Sequence, residues 1–150
     1  MRERQARCLN ESMAASHTVI VHGLRDAVAA LAEGAATGTP VTLLSSPGAA
    51  LYAGCGWWNA VVTEARAVHP EVPCTNILDC ADGTGLALAA LRIGLSRLVL
   101  WPEAPGRDAV VAIAESLGGF VLAAPPPAGP QSSALNAPRA RRAGLAERPC

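Results

Sequence analysis

The sequence predicts an α/β domain with a small, mostly parallel sheet of four to five strands flanked by helices. Short runs rich in Val, Ile and Leu recur along the chain, namely His17–Val21, Val41–Ser45, Cys74–Asp79, Arg97–Trp101 and Phe120–Ala123. Between them lie segments whose apolar residues return every three or four positions, the spacing of a helix with one buried face. Glycine and proline punctuate each change of period. Strands alternating with helices of this length imply crossover connections and a parallel sheet. Unbroken apolar runs such as VTLL and LVLW suit a sheet covered on both faces.

Taken in order, His17–Val21 is the first strand, and after His22-Gly23 the residues Leu24, Val28, Leu31 and Ala35 mark the inner stripe of a helix closed by Gly38-Thr39-Pro40. The second strand runs through Ser46, placed as N-cap with Pro47 as first helical residue, into one long helix ending at His69-Pro70. On that helix Leu51, Cys55, Trp58, Val62 and Ala65 form the core stripe, while Ala50, Gly54, Trp57 and Val61 form a second apolar arc. Apolar residues over so wide an arc imply cover on more than one side. The third strand, Cys74–Asp79, leads through Cys80-Ala81-Asp82-Gly83 to a helix over Thr84–Ile93 with Leu86, Ala89, Ala90 and Ile93 inward. The fourth strand is followed by a turn, a helix from Arg107 to Leu117, the pair Gly118-Gly119 and a short fifth strand.

The patterned part is residues 16–124. Residues 1–15 are polar and without periodicity, so they read as a loose tail, and Met13 is as good a start as Met1. From Pro125 to Cys150 the chain is rich in Pro, Ala and Arg, a composition that buries too little apolar surface to offset its ordering entropy, so a disordered tail is expected.

Composition removes several classes of function. All twelve basic residues are arginine, so a Schiff-base lysine, pyridoxal phosphate attachment and a Walker-type phosphate lysine are excluded. Net charge is zero, and residues 17–123 hold more acids than arginines, which argues against a nucleic-acid partner, since phosphate binding needs a concentrated cationic face. Five cysteines without a C-x-x-C pair point to neither a disulfide framework nor a zinc site, and a cytoplasmic home is expected. No apolar run reaches the ~20 residues of a membrane span. No cofactor motif is present, and Gly54-x-Gly56 falls inside a helix instead of at a strand-to-helix turn, so it is no dinucleotide fingerprint.

In an open parallel sheet ligands bind beyond the carboxyl ends of the strands. Those ends carry the candidate ligand-binding residues His22, Ser45, Ser46, Gly48, Asp79, Asp82, Gly83 and Glu103. A helix start at Ser45–Gly48 offers backbone N–H groups and hydroxyls to a small anion, although the same residues make an ordinary cap. Asp79 and Asp82 offer oxygens to a hard cation, although Asp82-Gly83 is also a good turn. Cys80 with His22 and an aspartate has the parts of an activated thiol, while a buried cysteine is ordinarily inert. Trp58 belongs to the core. Trp57, about 100° away on the helix and so outside the same pocket, is the candidate interface anchor, and Trp101 sits where it could stack on a planar ligand or cap the core edge.

The stretch GLALAALRIGLSRLVLWPEAPG resembles βα units of β/α-barrel and flavodoxin-like proteins, a likeness of rhythm that carries no functional residue. A flavodoxin-like order, 2-1-3-4-5, places the first and third strands side by side and His22 near Asp79 and Cys80. Five strands with only four helices leave part of one sheet face open. The expected function is therefore a self-associating or protein-binding module, a homo-oligomer through that face. The alternative is a domain that binds or transforms a small anionic ligand at the rim.

Overall fold

The computed structural model describes residues 16–129. Strands β1 (His17–Val21), β2 (Val41–Ser45), β3 (Cys74–Asp79), β4 (Arg97–Val99) and β5 (Phe120–Leu122) alternate with helices α1 (Leu24–Thr37), α2 (Ala49–Tyr52), α3 (Gly54–Val68), α4 (Thr84–Arg92) and α5 (Arg107–Ser116). The five strands form one all-parallel sheet, as the βα rhythm predicts, with Val19 beside Leu43, Leu44 beside Ile77, Leu78 beside Leu98 and Leu98 beside Val121.

The strand order is β1-β2-β3-β4-β5, not the flavodoxin-like 2-1-3-4-5. Each strand is simply added beside the last. Crossovers of one hand, repeated in one direction, place every helix on the same side of the sheet. The cores show this directly. Val19, Val21, Leu43, Leu78, Leu98 and Leu100 pack with residues of all five helices, whereas Leu44, Ile77 and Val99, pointing the other way, form a separate cluster with Ile20, Phe120 and Leu122 of the sheet itself.

On the helical side the contact is made by small residues. Ala27, Ala30 and Gly34 of α1, Ala87 and Ala90 of α4, and Ala114 of α5 are buried against the strands. At Gly34 the approach is closest: a Cβ there would lie 2.5 Å from Val41 Cγ2 and 2.9 Å from the Thr39 carbonyl. This rotates the helices relative to the sequence expectation. Leu24, Ala35 and Ile93, expected inside, are exposed, and so is the apolar Leu117. A helix seated on alanines comes near enough to the sheet that its long side chains fit only beside the contact or outside it.

The expected long helix is two helices. Ala53 breaks the ladder, Gly54 adopts φ +85°, and α2 is a single turn. Leu51 thus leaves the stripe of Trp58, Val62 and Ala65 and is exposed. Ser46 is not an N-cap and Pro47 is not helical: Gly48, at φ +65°, occupies the cap position with no side-chain cap bond. The broad apolar arc of α3 does imply two-sided cover, because α3 packs against both α1 and α4 as well as β3.

The described chain continues past β5. Ala123–Gly129 ends with the Gly129 N–H donating to the Thr18 carbonyl at 3.0 Å, so five residues beyond position 124 are placed. The remainder of the expected C-terminal tail, 130–150, and the expected N-terminal tail, 1–15, lie outside the described residues.

Candidate functional site

The carboxyl ends of the strands form a belt of loops in which each loop leans on the next. The Ser46 hydroxyl donates to the Val21 carbonyl at 3.3 Å, tying the β2 loop to the end of β1. Ser45 Oγ donates to its neighbour's carbonyl at 3.3 Å and accepts the Asp79 N–H at 2.9 Å, tying β2 to the end of β3. Thr84 Oγ donates to the Pro105 carbonyl at 2.6 Å, tying the β3 loop to the β4 loop. Both serines and Asp79 are buried. A carboxyl oxygen of Asp79 accepts the Ala81 N–H at 2.8 Å and turns the chain, so that Ala81 sits at φ +49°, a left-handed conformation uncommon for a residue with a Cβ.

The belt is filled from within. A Cβ at Gly48 would touch Leu51 and Ala81, and one at Gly83 would press on Leu51, Leu86 and the Cys80 carbonyl at 3.0–3.2 Å. The hydroxyls proposed for an anion are thus turned to backbone. The helix beginning at this rim is one turn long, whereas α3 starts later, at Gly54. Asp82 and Glu103 are exposed.

His22 stands apart from Asp79 and Cys80, because β2 separates β1 from β3. Its exposed ring lies 3.4 Å from Asp26 Oδ2, which also accepts the His22 backbone N–H at 3.0 Å. Cys80 is fully buried, and burial, with Asp79 and Cys55 nearby, pushes its thiol up to about 12. A thiol so disposed is held neutral, the reverse of an activated nucleophile. No group of three or more His, Cys, Asp or Glu among the described residues is arranged to hold a metal. Among the described residues, Cys55, Cys74 and Cys80 form no disulfide with one another.

Trp57 is half-buried on the core, and its ring lies beside that of Trp58, with centroids 6.0 Å apart and planes tilted by 39°. The helical angle separates the Cα–Cβ bonds, but two indoles are long enough to lean together again. Trp58 is fully buried, and its Nε1 has no hydrogen-bond partner among the described residues. Arg107 is a structural residue the sequence did not mark: Nε donates to the Leu100 carbonyl at 3.1 Å and Nη2 to the Val121 carbonyl at 3.4 Å, joining the start of α5 to the last two strands. Only a carbonyl pair at the end of a twisted sheet explains it, and no local pattern announces that.

Besides Leu24 and Val68, the exposed large apolar side chains gather in two places. Leu51, Tyr52 and Trp101 are at the rim, and Ile93, Ile113 and Leu117 are on α4, α5 and their ends. Between α4 and α5 lies an open groove of about 230 Å³ lined by Leu88, Leu91, Arg92, Ile113 and Leu117. Among the described residues no helix is long and apolar enough to cross a membrane. The chain matches no protein-family model and no curated protein.

Proposed function

We propose that this protein is a self-associating module that pairs with a second copy through the α4–α5 face. The observation that supports this is the exposure of Ile113 (41%) and Leu117 (54%) in one apolar groove, with Ile93 (45%) exposed at the end of α4, on a molecule whose buried polar rim groups are spent on its own backbone. Apolar side chains clustered in this way lose water on contact and favour association. Sedimentation equilibrium across the micromolar range tests it. The wild-type chain should associate, and Leu117→Glu, placing a charge at the groove, should be monomeric; a wild-type monomer throughout would refute the reading.

A second reading, binding of a small planar or anionic molecule at the rim, is favoured by the exposed Tyr52 and Trp101 near the left-handed Ala81. Backbone strain of this kind gathers at functional sites. A thermal-shift screen with nucleotides, phosphosugars and flavins tests it, because a ligand that binds only the folded form must raise Tm. Unchanged Tm throughout would count against it.

A further inference from the structure

The second core, Leu44, Ile77 and Val99 with Ile20, Phe120 and Leu122, lies on the face of the sheet that carries no helix among the described residues, yet its three central residues are buried. The described chain offers one segment to cover them. Ala123–Gly129 leaves the end of β5, at one edge of the sheet, and reaches Thr18 of β1, at the other. His17 N–H points to Pro40, toward β2, so by the alternation of a parallel ladder Thr18 presents its carbonyl outward, and Gly129 docks on the free edge of β1.

The route follows from reach. Five strands at ~4.8 Å spacing, with an offset of about four residues between Leu122 and the level of Thr18, put the two ends roughly 23–27 Å apart on a flat sheet. Seven residues span at most ~25 Å. The segment is therefore nearly straight, and no slack is left for a detour around the helices.

Its chemistry suits that path. The sequence AAPPPAG has no charge, and Pro125, Pro126 and Pro127 have no N–H to leave unpaired over an apolar surface. Prolines also favour an extended backbone. Pro126 and Ala128 are half-buried, and Gly129 lies so near His17 that a Cβ would stand 3.0 Å from the ring.

We propose that the helix-free face of the sheet is an interaction surface for an extended, uncharged, proline-rich segment, and that Ala123–Gly129 is its built-in occupant, a lid latched by the Gly129–Thr18 hydrogen bond. Opening the latch frees both the apolar face and the outer edge of β1, the two elements that strand addition to a sheet edge requires. This surface is on the opposite side of the sheet from the groove of α4 and α5, so Leu117→Glu leaves it intact and the two readings fail separately.

In the full-length protein, Gly129→Pro removes the donating N–H. The variant should bind a synthetic peptide of the Leu122–Gly129 sequence, read by fluorescence anisotropy, and should raise the fluorescence of an apolar dye severalfold above wild type, with far-ultraviolet dichroism unchanged. Replacing Pro125, Pro126 and Pro127 together by glycine should loosen the same lid by a different route. Hydrogen exchange on the wild-type chain gives an arm that needs no variant to fold: the Gly129 amide should exchange at least about tenfold more slowly than in an unstructured peptide. Exchange of Gly129 at the free-peptide rate would overturn the lid, and folded variants that bind neither peptide nor dye would overturn the interaction surface.

Discussion

At Ser45 a single oxygen serves two strands, accepting the Asp79 N–H while donating within its own loop. Ser45→Ala would leave that buried N–H without a partner, which costs about 1–3 kcal/mol, visible as a lower urea midpoint with an unchanged slope. Trp58 presents the opposite case, a buried donor already without a partner among the described residues. Trp58→Ala should cost about 3–5 kcal/mol through the cavity it opens, whereas Trp58→Phe, which removes the orphan N–H together with part of the ring, should cost less than half as much. For Cys80 the raised thiol pKa fixes a direction with pH. The folded group ionises near 12 and the unfolded one near ~8.5, so the contribution is fully present below the unfolded value and is lost as pH rises toward 12. Urea titrations between roughly pH 8.5 and 12 should show stability falling in wild type and falling less steeply in Cys80→Ala, and Cys80 should resist alkylation until the chain unfolds.

Among the elements, the last βα unit is tied to the sheet by the β4–β5 ladder and by two further contacts, at Gly119 and at Arg107. Gly119 lies so close to the Ser96 carbonyl that a Cβ would overlap it, while the next residue, Phe120, donates its N–H to that same oxygen at 3.0 Å. Gly119→Ala should therefore part β5 from β4, costing at least about 2–3 kcal/mol and releasing amide protection at Phe120–Leu122 before the rest of the sheet. Arg107 holds the same corner from α5, and Arg107→Ala should cost about 1.5–3 kcal/mol, the range for hydrogen bonds from a charged donor. The βα rhythm and the bounds of β1, β2 and β3 were legible in the sequence because β-branched runs bounded by Gly and Pro have few other conformations. The inward faces of the helices were legible only in part: Leu31, Trp58, Val62, Ala65 and Ala90 are buried as their spacing predicts, but α1 and α4 also seat Ala27, Ala30 and Ala87 on the strands and leave Leu24 and Ile93 exposed. Ser46 departs from the expected cap role because a distant carbonyl, that of Val21, takes the hydroxyl that a local reading assigns to a helix start.

For the whole molecule the governing fact is that strands are added in sequence, so all helices share one side. One face of the sheet is then closed by helices and the other is left for a chain segment such as Ala123–Gly129. The consequence for the rim was equally out of reach of local reasoning. His22, Ser45, Ser46 and Asp79 do lie at strand ends, as predicted, but with β2 between β1 and β3 only the serine pair and Asp79 are connected, and His22 turns to Asp26. What the amino-acid sequence determined by itself was the alternation, the parallel direction and the absence of lysine chemistry, since these follow from local periodicity and composition. Strand order, the single-sided helical layer and the docking of Gly129 on Thr18 were decided only by tertiary structure, because each depends on contacts between segments far apart in the chain, and no local pattern encodes which neighbour a strand will choose.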